Sequence, residues 1–244
     1  MTTAGESGAI ISREVTATWT GRWAAGSAAQ LAHASVLVAL QILLNGVGFS
    51  VVAPAVLGGS DFEFRGAPRE FVAVAAIAAL GMGLDVGIAL CAVARISLRQ
   101  LGWTRVRWPG DVGAGVLGFG ACAATILGTI AWRGGDVHAL VSHVGDYSLA
   151  QRLLFLFIGV TAAFYEESLF RGYLQPALVA RVGAVGGIVL TAAVFSVYHL
   201  QFHPASLVAK FGLGLVFGGL RARGRTLLAP ATAHALVWAV IGAA

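Results

Sequence analysis

Charge is what this chain has least of. Only 11% of its 244 residues are Asp, Glu, Lys or Arg, 58% are hydrophobic and the mean hydropathy is +0.83. That leaves too little polar surface to cover a soluble globule of this size and points to an integral membrane protein. Lysine occurs once, as Lys210, and asparagine once, as Asn45. The other basic residues are arginines scattered between apolar segments, so the net charge of +5 forms no massed patch. Nucleic acid is therefore not the implied partner, and the lipid bilayer is. The two cysteines, Cys91 and Cys122, both fall inside apolar segments; this argues against a disulfide framework and reads as small apolar packing. The first 27 residues carry Glu6, Arg13, Glu14 and Arg22 among Ser, Thr and Gly. They lack a short apolar core with a small-residue cleavage site, and read as a retained polar tail. Arginine in place of lysine, with abundant Ala and Gly, fits a GC-rich genome and hence a prokaryotic plasma membrane.

Long apolar runs are what the chain has in quantity. Segments able to cross about 30 Å of hydrocarbon fall at 28–57, 71–94, 112–132, 149–180, 183–200, 204–220 and 226–243. They are continuous and not alternating, so each spans as a helix that satisfies its own backbone, not as barrel strands. The expected fold is all-α, a polytopic transmembrane bundle of about seven to eight helices. Residues 1–27 form the tail, 28–148 the N-terminal transmembrane helices and 149–244 a C-terminal transmembrane core. Arg95, Arg99, Arg105 and Arg107 share one connection, Arg171 and Arg181 lie near a second, and Arg221, Arg223 and Arg225 mark a third. Seven crossings put all three on one side, which the positive-inside bias makes cytoplasmic, with the N-terminus inside and the C-terminus outside. GAGVLGFG (113–120) and FGLGLVFGG (211–219) let helices approach closely. Gln30, His33, Gln41 and Asn45 fall on a stripe roughly 120° wide of the first crossing, which should face protein or water.

Ionisable groups within these runs stand out. From Arg152 to Arg181 the chain is apolar apart from FYEESLFRGYL (164–174) at its middle, and as one helix it runs about 44 Å. An ionised group at that depth costs at least ~3 kcal/mol on insertion scales and needs compensation. Glu167 and Arg171, four apart, can pair, whereas Glu166 projects about 100° away. The neighbours therefore take different jobs: Glu167 is charge-compensated and orienting, and Glu166 is a partly desolvated carboxylate suited to general-base work. A buried ion-pair network that merely holds helices in register fits the same three residues. VFSVYHL (194–200) and ATAHALVWA (231–239) then place Phe195 with His199, and His234 with Trp238, on shared helical faces,. One histidine in such a helix is usually a packing residue. Three crossings with an ionisable group at depth, in the last 80 or so residues, favour chemistry. His203 beside Pro204 reads as a cavity or interfacial residue, Lys210 as a residue that snorkels, touches substrate or, in the favoured reading, pairs with an acid such as Asp85, and Asp85 as a packing anchor. His138 and His143, in the loop with Asp136 and Asp146, read as solvated, with too little spacing support for a metal site.

E-E-x-x-x-R (Glu166, Glu167, Arg171), F-x-x-x-H (Phe195, His199) and a later histidine (His234) in a final apolar segment, with FRG after the glutamates, together resemble the CAAX-protease and bacteriocin-processing (CPBP) family of intramembrane proteases, type II CAAX prenyl endopeptidases among them. The likeness covers about residues 149–240, and the earlier crossings match in character only. It implies an endopeptidase in which Glu166 and His199 activate a water that attacks a peptide carbonyl. His234 helps to stabilise the oxyanion, and Glu167, Arg171 and Phe195 orient or support. The family pattern ends in H-x-x-x-N, but here Trp238 stands at the asparagine position. An indole donates one hydrogen bond and accepts none, and loss of one oxyanion donor costs roughly a hundredfold or more, so reduced activity is expected. The implied substrate is a peptide or membrane-anchored protein, prenylated where the family name applies, and no cofactor is required. Three alternatives stand beside this. A zinc ion can sit between Glu166, His199 and His234, although no H-E-x-x-H is present. A proton-coupled carrier can use the same carboxylates, although no paired half-helices are visible. A non-cleaving relative that binds peptides would account for Trp238. Measured from the arginine-marked ends, His234 lies about 13 Å deep, Glu166 about 22 Å and His199 about 27 Å. Tilt and a short polar turn at 201–204 close this gap if a hydrated cavity reaches into the bilayer.

Overall fold

The computed structural model describes residues 21–59, 62–104, 108–224 and 226–242, and among these every regular element is helical. Glu6, Arg13 and Glu14 of the tail, together with Arg105, Arg107 and Arg225, lie outside the described residues. Helix α1 (Ala28–Leu57) starts where the Ser27 hydroxyl accepts the Gln30 N–H at 3.2 Å, a normal N-cap for a helix whose first amides lack partners. Helix α2 (Pro68–Val93) opens on a proline that needs no amide partner. The buried Glu70 carboxylate there accepts N–H groups from Glu63, Gly66 and Ala67 at 3.1, 2.7 and 3.0 Å. Helices α3 (Leu98–Leu101), α4 (Trp108–Trp132) and α5 (Val137–Gly145) follow. The apolar stretch Leu149–Tyr198 is broken at Gly183, whose φ of 82° and ψ of 171° no helix accommodates and which lacks the Cβ that would oppose them. It therefore forms two arms, α6 (149–182) and α7 (184–198). Helices α8 (Pro204–Gly224) and α9 (Leu228–Ile241) complete the bundle. The seven expected apolar segments thus appear as α1, α2, α4, α6, α7, α8 and α9, and the protein is a polytopic integral membrane protein.

The two ends of the bundle differ in chemistry. At one end the Arg22 N–H donates to Ala94 O at 2.8 Å, Arg181 reaches Gly26 O at 3.5 Å, and the Leu227 N–H donates to Gly102 O at 2.9 Å. Arg95, Arg99, Arg221 and Arg223 belong to the same end. The opposite end is aromatic: Phe49, Phe62, Phe64, Phe155 and Tyr147 form a chain of ring contacts with centroids 4.7–6.2 Å apart. Arg171 was expected to help mark the basic end, but it is fully buried because its charge is satisfied within the bundle. The segment with His138 and His143 was read as a loop, yet it forms α5. Asp136 caps that helix by accepting the His138 and Ala139 amides, a local signal that hydropathy does not register. Both histidines remain exposed, as expected.

Close approach through the glycines places the polar groups. At Gly214 an added Cβ would sit 2.9 Å from Ala192 Cα of α7, so α7 and α8 pack backbone to backbone. The same bare surface leaves the Gly214 and Gly218 carbonyls open to α6, where they accept from Arg171 Nη2 at 3.4 Å and Gln175 Nε2 at 3.1 Å. Helix α9 packs against both α4 and α6. Four helices widen locally into π-turns, at Gly48–Val52, Gly81–Val93, Ser168–Leu174 and Val237–Ile241, a feature frequent at functional sites. The third begins directly after Glu167.

Candidate active site

The FYEESLFRGYL run ends the regular part of α6 and enters its π-turn, turning Glu166 and Glu167 to different surroundings. Glu167 is 0% exposed, and its Oε1 accepts from Arg171 Nη1 at 3.1 Å and from His234 Nδ1 at 2.9 Å. Arg171 is also 0% exposed, and its guanidinium lies 4.3 Å from the Phe195 ring centroid, 5.1 Å from Phe217 and 5.7 Å from Phe170. Aromatic faces attract a desolvated cation, so the α7 and α8 phenylalanines complete what one carboxylate begins. His234 of α9 stacks on Phe217 with centroids 5.0 Å apart. Its Nε2 lies 3.9 Å from Glu166 Oε2, too far for a hydrogen bond,. Both of its ring nitrogens therefore address the paired carboxylates.

Glu166 is 6% exposed, and its Oε1 accepts from the Tyr198 hydroxyl at 3.4 Å. Its outer side forms part of the wall of a cavity of about 390 Å³. His199, Leu200 and Gln201 line the same cavity from the α7–α8 turn, Trp238 from α9, and Ile42, Asn45 and Phe49 from α1. His199 caps α7: its Nδ1 is 2.7 Å from Phe195 O, a carbonyl of the last turn that would otherwise lack a partner. A carbonyl only accepts, so Nδ1 carries the proton and Nε2 is left with its lone pair free. Phe195 thus serves twice, with its ring beneath Arg171 and its carbonyl fixing the His199 tautomer. Leu200 then turns at φ 53°, a left-handed conformation uncommon for a bulky side chain and frequent where function constrains the backbone. Phe64, which lines the same cavity, has φ 55° and is another such residue. Trp238 is seated over Gly159, where a Cβ would come within 2.8 Å of the tryptophan Cβ.

The structure brings Glu166, His199 and Trp238 to one cavity, while His234 lies behind Glu166 and ties it to Glu167. Among the described residues no group of three His, Cys, Asp or Glu side chains converges as a metal ion requires. His203 lies in the α7–α8 turn, with its Nδ1 3.3 Å from the Ala205 amide. The expected pairing of Lys210 with Asp85 does not form: both Asp85 oxygens are buried without a hydrogen-bond partner among the described residues. Sequence reasoning missed Tyr198, whose neighbour His199 drew attention instead. It flagged the α1 stripe only as a face turned inward. All four stripe residues do bond inward: Gln30 accepts the Gly26 amide, His33 meets the Tyr173 hydroxyl, Gln41 donates to Asn45, and Asn45 to Tyr198.

Neither a curated protein nor a solved structure matches the chain. A family model does, over a segment that contains Glu166, His199, His234 and Trp238. Such a match implies an intramembrane CAAX-type endopeptidase acting on a peptide or protein in the membrane. Residues 148–240 match the model of the Rce1-like family, described as type II CAAX prenyl endopeptidase Rce1-like.

Proposed function

We propose that the protein hydrolyses a peptide bond within the bilayer by a metal-free route, with a water activated between Glu166 and His199. The supporting observation is that these two side chains, one on α6 and one at the end of α7, share the cavity wall, and that His199 presents an unprotonated nitrogen there. Glu166 takes the water proton as the oxygen attacks the carbonyl carbon, and His199 Nε2 orients the water and relays the proton to the departing amine. His234, Glu167 and Arg171 are positioning residues that hold the Glu166 carboxylate in place. The arginine-bearing end of the bundle is cytoplasmic, which puts the N-terminus inside and the aromatic end outside. The apolar wall of Ile42, Phe49, Val74 and Ile77 suits an apolar side chain or a prenyl group next to the scissile bond, with the polar wall reserved for the peptide.

The test is cleavage of a peptide library, with and without farnesylated members, by purified wild type, Glu166→Ala, His199→Ala and Trp238→Asn. Wild type cleaves, the two alanine variants lose about 10²- to 10⁴-fold, and Trp238→Asn gains turnover. Equal turnover in all four would remove the proteolytic assignment. Stoichiometric zinc in active wild type, with activity lost on its removal, would overturn the metal-free route.

A further inference from the structure

Resting on that reading, we infer that the Tyr198 hydroxyl and the Asn45 amide form the site that binds the carbonyl oxygen as it becomes an oxyanion, so that α1, outside the matched segment, completes the active site.

When water oxygen bonds to the carbonyl carbon, the C=O π electrons move to oxygen and the water proton passes to Glu166. The tetrahedral intermediate then carries a negative charge that needs donors already in place. On collapse the oxygen re-forms the carbonyl, the C–N bond breaks, and the amine leaves with the relayed proton; no oxidant, reductant or metal enters this balance. Donors on the cavity wall are few, and the Trp238 indole N–H on α9 is the rival that the Trp238→Phe variant below tests,. Glu166 only accepts, and the His199 Nδ1–H is committed to Phe195 O. The Thr161 hydroxyl is committed to Phe157 O and Ile158 O at 2.8 and 3.0 Å. Tyr165 lays its ring against Gly81, where a Cβ would meet it at 3.1 Å, so it is turned toward α2. Gln201 is exposed at the turn.

Tyr198 differs because it is tied to Glu166 itself. Its hydroxyl is 3.4 Å from Glu166 Oε1, long for an O–H···O bond, so its proton is held loosely and lies within reach of an oxygen attacked beside that carboxylate. The Asn45 Nδ2 donates to the same hydroxyl at 2.6 Å, which polarises the O–H and makes it a better donor. Gln41 fixes the end of Asn45 that faces the site: its Nε2 donates to Asn45 Oδ1 at 3.2 Å, leaving the NH₂ group toward Tyr198 and the cavity. The second Nδ2–H has no acceptor among the described residues, so the oxyanion can take one hydrogen bond from each side chain. Gln41 is a positioning residue; Tyr198 and Asn45 touch the reacting oxygen.

The experiment compares wild type with Tyr198→Phe, Asn45→Leu, Gln41→Leu, Trp238→Phe and, as a remote control on α5, His138→Ala. It measures kcat, KM and the affinity of a phosphinic pseudopeptide, a tetrahedral anion that mimics the intermediate. Tyr198→Phe lowers kcat about 10²- to 10³-fold and Asn45→Leu about tenfold or more, with KM little changed. The pseudopeptide loses affinity by matching factors, because donors used only in the transition state leave substrate binding alone. Gln41→Leu loses less, and the Tyr198→Phe/Asn45→Leu double variant loses more than Tyr198→Phe but less than the product of the two single losses, since Asn45 acts partly through Tyr198. Unchanged kcat in Asn45→Leu, or a loss carried by KM with analogue affinity intact, overturns the inference. So does a loss confined to Trp238→Phe. If wild type cleaves nothing, the proteolytic reading fails and the pseudopeptide still decides: weaker binding in Tyr198→Phe and Asn45→Leu supports the site, and equal or absent binding in all refutes it.

Discussion

The matched segment and the helices that precede it handle polar groups at depth in opposite ways. Within 148–240 the deep groups are charged and collected: Glu167 takes both Arg171 and His234, and three phenylalanine rings surround the guanidinium. In α1 the deep groups are neutral amides that pass one hydrogen bond along, from Gln41 to Asn45 to Tyr198. Charges are expensive in hydrocarbon and must meet a partner at once, so they cluster at i, i+4 spacing and on contacting helices. Amides cost less and can be strung out toward a site built elsewhere. The cavity lies where the two regimes meet, with Glu166 presented by one and Asn45 by the other.

The contrast is broken most severely by neutralising the two glutamates separately. Glu166→Gln keeps the shape, removes the base and lowers kcat by about 10²- to 10⁴-fold, with the thermal transition in detergent scarcely moved, because its Oε2 makes no hydrogen bond. Glu167→Gln does the reverse in kind. It strands a fully buried guanidinium, and breaking one partner of a buried pair costs about 3–5 kcal/mol. The double variant Glu167→Gln/Arg171→Met recovers most of that loss, since no charge is left without a partner. Equal effects of the two single changes on stability and turnover would show that the adjacent carboxylates share one role.

Much of this was legible before any coordinates. The i, i+4 pair Glu167–Arg171, the inward stripe of α1 and the seven apolar segments follow from periodicity and length, which are local. The break at Gly183 was legible as a gap between two runs, though the reversal it permits was not. Trp238 was recognisable as a substitution at the asparagine position, but the meaning of Asn45 was hidden: 153 residues separate it from Tyr198, and no helical period reports which residues two distant helices bring face to face. Likewise the aromatic box around Arg171 draws rings from α6, α7 and α8, and only packing reveals it. The family resemblance implied the oxyanion role of His234, whereas its position between two carboxylates depends on how closely α9 approaches α6.

That approach sets up a smaller test. Gly159 admits α9 so closely that a Cβ would lie 2.7 Å from Ala235 O. Gly159→Ala therefore pushes α9 outward and costs about 1–3 kcal/mol, the usual penalty of overpacking. It also displaces Trp238 relative to the cavity and loosens the His234–Glu167 contact, so turnover falls along with the thermal transition. Stability lost with turnover unchanged would place Trp238 and His234 outside the working site.

The smallest effect belongs to Asp85, a deep carboxylate outside the matched segment. Asp85 is fully buried on the π-turn of α2, and neither of its oxygens has a hydrogen-bond partner among the described residues. It therefore contributes no partnered charge that its neighbours depend on, unlike Glu167. Replacing an unpaired buried acid by its neutral isostere removes a desolvation cost and breaks no contact. Asp85→Asn is accordingly neutral to slightly stabilising, within about 0.5 kcal/mol or a little above, and leaves peptide cleavage intact. Proton-driven uptake into liposomes that disappears with Asp85→Asn would mean instead that α2 carries its own ion pathway. The neutral, relay-like character assigned to the N-terminal helices would then hold for α1 alone.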